Sequence, residues 1–279
     1  MSPDLSPSHV ALALLLAAAG CHGGRTARAP QAGAKTLSVM TYNVNYGIPG
    51  DSAALSAIAK QDSDLVLLQE TTPEWEASIR AQLAERFPHM AFRHCCGAGG
   101  MAVLSKHPFE DEGTLPPPEG GWFPAWHVTV HGPLGDVQIL NVHLRPQLSQ
   151  GGSFVSGYFT TPGVREREIE RYVSELSPDV PTIIAGDFNE NRTGLAIRYL
   201  ERRGFRSALQ DFEGSSATWR WNTSIGPVTS ELDHVVYDPH LEPLSVRVVQ
   251  AGNSDHLPVV AVFELTDGQL TPSCSGSAC

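Results

Sequence analysis

The run Asp64-Leu65-Val66-Leu67-Leu68-Gln69-Glu70 is apolar along its whole middle and stops at a carboxamide and a carboxylate. A half-exposed strand alternates between apolar and polar residues. A continuous apolar run of this length reads as a strand buried on both faces, in the middle of a covered sheet. Such a strand needs packed layers on either side, and it delivers Glu70 to a strand end. Pro181-Thr182-Ile183-Ile184-Ala185 is a second buried strand, and it ends in Gly186-Asp187-Phe188-Asn189. Taken alone, Asp187-Phe188-Asn189 reads as a turn whose side chains satisfy nearby backbone groups.

Residues 37–44 alternate and are rich in β-formers, so they predict a strand. Asp51 or Ser52 caps a helix through about Lys60. Pro73 opens another helix, with Trp75, Ile79, Leu83 and Phe87 on one face. Strands are predicted at 101–106, 126–130, 137–144, 231–237, 246–249 and 259–265, and helices at 164–176 and 192–203. Residues 146–163 form a long loop carrying Phe154, Tyr158 and Phe159. Strands interspersed with helices and hairpins predict a mixed pair of sheets covered by helices, rather than a purely parallel doubly wound sheet.

The 279 residues are 41% hydrophobic, enough for one sizeable core. The formal charge of −11 argues against a bulk electrostatic grip on nucleic acid or anionic membrane. It leaves room for a local basic groove, or for a site that recruits cations to meet phosphate.

Residues 10–19 are apolar but too few to span a membrane as a helix. They end in Ala18-Ala19-Gly20-Cys21, which resembles a bacterial lipoprotein cleavage box. The expectation is a lipoprotein-type signal peptide at 1–20, lipidation at Cys21, a flexible tether at 21–36, a catalytic domain at 37–266 and a Gly/Ser/Pro/Cys tail at 267–279. Ordinary secretion is the alternative, and either makes the protein an exported bacterial one. Cys95, Cys96, Cys274 and Cys279 suit disulfides in an exported chain, with the pairing open.

Acids, amides and histidines recur at the ends of apolar strands: Asn43, Glu70, His143, Asp187, Asn189, Asp233, Asp255 and His256. In a sheet-based fold, strand ends on one edge form one rim. Oxygen ligands such as Glu, Asp and Asn suit a hard cation, Mg²⁺ or Mn²⁺. A hard cation beside acids and His suits attack of water on a phosphoester.

The ordered segments Thr41-Tyr42-Asn43, Gln69-Glu70, Gly100-Met101-Ala102-Val103-Leu104-Ser105, Asn141-Val142-His143-Leu144, Gly186-Asp187-Phe188-Asn189, Leu232-Asp233-His234-Val235 and Ser254-Asp255-His256 resemble the endonuclease/exonuclease/phosphatase superfamily. The resemblance implies an α+β fold, a four-layer α/β sandwich of two packed mixed β-sheets flanked by helices. It implies Glu70, Asn43 and Asp255 as metal ligands, and Asp187 as the group that prepares the attacking water. Asn189 would hold that water or the phosphate. His256 would contact phosphate with Asp233 as its carboxylate partner, and His143 would be a second phosphate ligand or acid. Arg145, Arg165 (or Arg167) and Thr218 are further phosphate-contact candidates, whereas His234 and His107 are expected to be structural.

The implied activity is metal-dependent phosphoester hydrolysis, with nucleic acid or a phospholipid head group as substrate. Arg145, Arg192, Arg220, Trp219 and Trp221 could line a nucleic-acid groove. Phe154, Val155, Tyr158 and Phe159 could form an apolar lip for lipid, or stack on bases. A phosphatase and a non-catalytic binding lipoprotein are the other readings. Nothing in the sequence calls for an obligate protein partner.

Overall fold

The computed structural model describes residues 24–95, 97–212, 216–224 and 226–266. The expected signal peptide, Cys21, Cys96 and the tail at 267–279 lie outside the described residues.

In chain order the strands are β1 (Leu37–Asn43), β2 (Leu65–Gln69), β3 (His89–Arg93), β4 (Met101–Ser105), β5 (Phe109–Leu115), β6 (Ala125–Gly132), β7 (Gly135–His143), β8 (Thr182–Asp187), β9 (Arg206–Ser207), β10 (Trp219–Thr223), β11 (Gly226–Ser230), β12 (Asp233–Tyr237), β13 (Leu241–Val248) and β14 (Val259–Leu265). The helices are α1 (Ser52–Gln61), α2 (Pro73–Leu83), α3 (Phe154–Thr160), α4 (Pro162–Val173), α5 (Leu195–Arg202) and α6 (Ala208–Phe212). One six-stranded sheet has the order β13-β14-β1-β2-β4-β3, the other β5-β6-β7-β8-β12-β9, and β10 and β11 form a separate hairpin.

Period-two alternation sorts the side chains into layers. Val39, Leu67, Val103, Ile139, Ile183 and Val235 point between the sheets into a shared core. Their neighbours Met40, Val66 and Leu68 face outward onto Leu55 and Ile58 of α1 and Trp75 and Ile79 of α2. On the other sheet Leu140, Val142 and Ile184 meet Ile169 of α4 and Ile197 and Leu200 of α5. The result is helix, sheet, sheet, helix, as the doubly buried strands require. Asp51 caps α1 by accepting from the Ala54 N–H at 2.7 Å, and Thr72 caps α2.

The segment at 146–163 is not one loop, because α3 forms within it and α4 starts at Pro162. Ser153 caps α3 through the Ser156 N–H. The polar edge strand β5, the short β9 and α6 carry too weak an apolar pattern to be read from sequence.

From residue 24 onward the expected tether makes contacts with the domain. The Arg25 N–H donates to the Asp211 carbonyl at 2.6 Å and the Arg28 N–H to the Leu244 carbonyl at 3.0 Å. The guanidinium groups pair with Glu242 and Glu264. Opposite charges on short backbone spacings hold this segment down. It lies where β1 begins and β14 ends, since Leu37 pairs with Phe263 and Leu241 with Leu265. Asn43, at the other end of β1, is about 20 Å away at strand rise.

Candidate active site

β1 and β2 run parallel with Asn43 opposite Gln69, and β7 and β8 run parallel with His143 opposite Asp187. Parallel strands finish on the same edge, so Asn43, Glu70, His143 and Asp187 share one rim. β12 is antiparallel to β8 and starts there, with Asp233 opposite Asp187. Asp255 and His256 precede β14 on the same side. Beneath them the two sheets are pinned by Gln69 Nε2 donating to Asn141 Oδ1 at 2.7 Å, while Asn141 Nδ2 donates to the Leu68 and Ala102 carbonyls.

Asp187 is the hub. Its Oδ2 accepts from Asn43 Nδ2 at 3.1 Å and lies 3.5 Å from His143 Nε2 and 3.6 Å from His256 Nε2. Its Oδ1 accepts the Asn189 N–H at 2.9 Å. Asn189 adopts φ +51°, which Asn tolerates, and its Nδ2 donates to the Leu144 carbonyl at 3.0 Å. Gly186 makes the approach work: a Cβ there would lie 1.9 Å from the Val142 carbonyl oxygen. His143 is oriented by its Nδ1, 3.2 Å from the Ala98 carbonyl, and by Phe123 stacked at 4.5 Å.

Glu70 sits at φ +61°, strained for a residue with a long side chain. The turn is over-determined: Glu70 Oε1 accepts from Asn43 Nδ2 at 3.0 Å and Oε2 from the Tyr46 N–H at 3.2 Å. Asn43 therefore stands between the carboxylates of Glu70 and Asp187. Its Oδ1 accepts the Asn45 N–H, so it presents nitrogen to the site; ligation through oxygen requires a half-turn of the amide. Asp255 accepts from Asn45 Nδ2 and Trp219 Nε1, both at 3.0 Å. Two carboxylates converging on a single neutral donor, with a third across the Asn45 turn, form an oxygen-rich set that fits a hard divalent cation.

His256 Nδ1 lies 2.9 Å from Asp233 Oδ2. Burial pushes the imidazole down, but the carboxylates of Asp233 and Asp187 outweigh it and raise it to about 10. Burial likewise pushes Asp233 up, to about 6, against the pull of His256. At neutral pH the pair is therefore ionised on both sides. Asp187, Asp233 and His256 place ligand-type atoms within 4.8 Å of one another. The His256–Asp233 pair thus faces Asp187, and the three side chains together are a candidate acid–imidazole metal site.

The three remaining phosphate-contact candidates each have partners within the protein. Thr218 is buried, and its Oγ1 accepts the N–H groups of Leu232 and Asp233, both at 2.9 Å, so it positions Asp233. Arg165 is buried and spends its guanidinium on Glu190 at 3.1 Å, the Arg145 carbonyl and Thr161. Arg145 is buried, stacks 3.2 Å over Trp122 and donates to the Leu148 carbonyl, while its Nη1 is buried without a hydrogen-bond partner. Glu168 accepts the Arg145 N–H at 2.8 Å, and burial pushes its carboxyl up to about 7. His234 packs edge-on against Phe188 as a core residue.

Sequence reasoning missed Asn45, and named Trp219 only as a groove residue; both donate to Asp255. The signal for Asn45 was its period-two spacing from Asn43; Trp219 carried none beyond its place in an aromatic-basic patch.

The model of the Endonuclease/Exonuclease/phosphatase family matches residues 40–256. The chain belongs to this family. Members of the endonuclease/exonuclease/phosphatase family are metal-dependent phosphoesterases, so this member is a hydrolase of phosphoester bonds and the divalent cation its rim fits is the family's cofactor. No curated protein sequence matches the chain. Among solved structures, an endonuclease/exonuclease/phosphatase from Beutenbergia cavernae DSM 12333 is similar with a TM-score of 0.64 and 22% identity, over 83% of this chain and 72% of that one. An AP endonuclease from Archaeoglobus fulgidus superimposes with a TM-score of 0.63 and 17% identity, over 81% and 99% of the two chains. TDP2 from Caenorhabditis elegans gives 0.61 and 15%, over 82% and 74%. These likenesses establish the family's four-layer fold in this chain.

Proposed function

We propose that this family member is an exported phosphodiesterase that cuts nucleic acid with Mg²⁺ or Mn²⁺. The observation that carries the mechanism is the convergence of Asn43, His143 and His256 on Asp187 Oδ2. Glu70 and Asp255, with Asn43 after an amide half-turn, would hold the cation. When bound, the cation supplies charge neutralisation at the phosphoryl oxygens. Asp187, fixed by the Asn189 N–H, takes the proton of the attacking water. Asn189 orients that water through its Oδ1. His256, kept cationic by Asp233, faces the phosphoryl oxygens and stabilises their growing charge; His143 stands on the other side of Asp187 as a second donor.

Purified protein should hydrolyse bis(p-nitrophenyl) phosphate, plasmid DNA or RNA with Mg²⁺ or Mn²⁺ and stop in chelator. Asn189→Ala and His256→Ala should each cost about 10²-fold or more, the scale of a positioned acid or base. Metal-independent turnover surviving both substitutions overturns the mechanism.

A lipid head-group substrate is the second reading, favoured by the exposed Val155 and Phe159 near the rim. The N-terminal segment weighs against lipids of the protein's own membrane. Cys21 lies three Cα–Cα steps before Gly24, a reach of about 11 Å. Gly24 packs against the Phe212 carbonyl at the end of the sheets opposite the rim. A lipid on Cys21 would therefore hold that far end to the membrane and turn the rim away. Cys21→Ser should move the full chain from the membrane to the soluble fraction of the host cell; a wild-type chain already soluble removes the anchor. Turnover of sphingomyelin without turnover of DNA or RNA would favour the lipid reading.

A further inference from the structure

The rim carries an aromatic station on each side of the catalytic hub. On one side Trp219 and Trp221 of β10 stack with ring centres 6.4 Å apart and planes 10° apart. Trp219 is anchored through Asp255 and bridges the His256 backbone, while Trp221 is 56% exposed. Arg220, between them, is exposed. On the other side Tyr158 and Phe159 of α3 open onto a cavity of about 310 Å³ whose polar lining includes Gln147, Asn191 and the Arg165–Glu190 ion pair. Phe159 is 77% exposed.

Contacts join the stations through the catalytic residues. Gln147 Nε2 donates to the Asn189 carbonyl at 3.0 Å, the Asn189 N–H reaches Asp187, and Asp187 faces His256, whose backbone meets Trp219. The path from Phe159 to Trp221 therefore crosses the point where Asp187 would prepare water.

We propose that these stations bind single-stranded nucleic acid, each stacking a base on one side of the scissile phosphate; this rests on the phosphodiesterase reading above. A flat aromatic face accepts any base, but only a base not already stacked in a duplex. Beside the apolar surface of Pro162 and Leu195, the cavity offers Gln147, Asn191 and the Arg165–Glu190 pair to the hydrogen-bonding edge of a base. With a formal charge of −11, a broad electrostatic grip is weak, so stacking must carry the affinity and its salt dependence should be shallow.

The test is binding of a fluorescein-labelled oligothymidylate to the full chain in chelator, followed by anisotropy, beside a duplex and phosphatidylcholine vesicles. The single strand should bind at least about tenfold tighter than the duplex, and Trp221→Ala and Phe159→Ala should each weaken it roughly tenfold, the loss of one stacked base. Equal affinity for duplex and single strand, or unchanged binding by both variants with native melting temperatures, overturns the proposal. Binding to vesicles but not to oligonucleotide, lost in both variants, overturns it in favour of a lipid surface. The hydrolase reading is judged separately, by wild-type turnover of bis(p-nitrophenyl) phosphate, so either can fail without the other.

Discussion

His256 Nδ1 lies 2.9 Å from Asp233 Oδ2 across the junction of β12 with the loop before β14, and both side chains are buried. A lone buried imidazole would be neutral. Here the carboxylates of Asp233 and Asp187 overcome burial and keep it cationic, facing Asp187 Oδ2.

Asp233→Asn should therefore return the His256 titration from about 10 towards its unperturbed value, observable in the imidazole proton resonances. Activity at neutral pH should fall about 10²-fold. The pair also contributes to stability with a defined sign. His256 has a folded pKa above its unfolded value, so its contribution is complete below about pH 6.5 and disappears as pH rises through about 10. A variant with unaltered activity and titration would show that Asp233 does not set the charge of His256.

Thr218→Val should leave the Leu232 and Asp233 N–H groups without their acceptor and destabilise the protein by about 1–3 kcal/mol. Thr218→Ser should restore both stability and kcat. A phosphate contact would instead raise KM with little change in melting temperature, which is the result that contradicts a positioning role.

Glu168 makes stability fall with rising pH. Burial raises its folded carboxyl to about 7, above the ordinary 4.5. Between these values the folded protein holds a proton that the unfolded chain has released, so stability is greatest below 4.5 and declines through 7, by up to about 3 kcal/mol. Glu168→Gln keeps an acceptor for the Arg145 N–H and should flatten the decline in melting temperature between about pH 5 and pH 8. Parallel profiles for the two proteins would refute this.

Gly186→Ala should be among the most damaging substitutions far from solvent. Its Cβ would lie 1.9 Å from the Val142 carbonyl oxygen at φ +152°, forcing β7 and β8 apart just beneath Asp187. A loss above about 3 kcal/mol is expected in chemical denaturation, because backbone on both strands must move. Wild-type stability would mean that the strands tolerate separation at this point.

Strand identity and the rim were legible in the chain because burial on both faces leaves an unbroken apolar run that a polar residue must end. That logic located Asn43, Glu70, His143, Asp187, Asp233 and His256, and it implied helices outside both sheets. It is silent on the partners a side chain finds far along the chain. A charge in sequence gives no sign that Arg145 stacks on Trp122 or that Arg165 pairs with Glu190. Thr218 read as a substrate contact because its two N–H donors belong to another strand. Asn43 lies on the rim, but which of its amide atoms faces Glu70 was settled only by the Asn45 N–H behind it. Local pattern dictates which backbone is buried and where it stops; the competition among donors and acceptors that decides each polar group's role exists only once distant strands have closed around it.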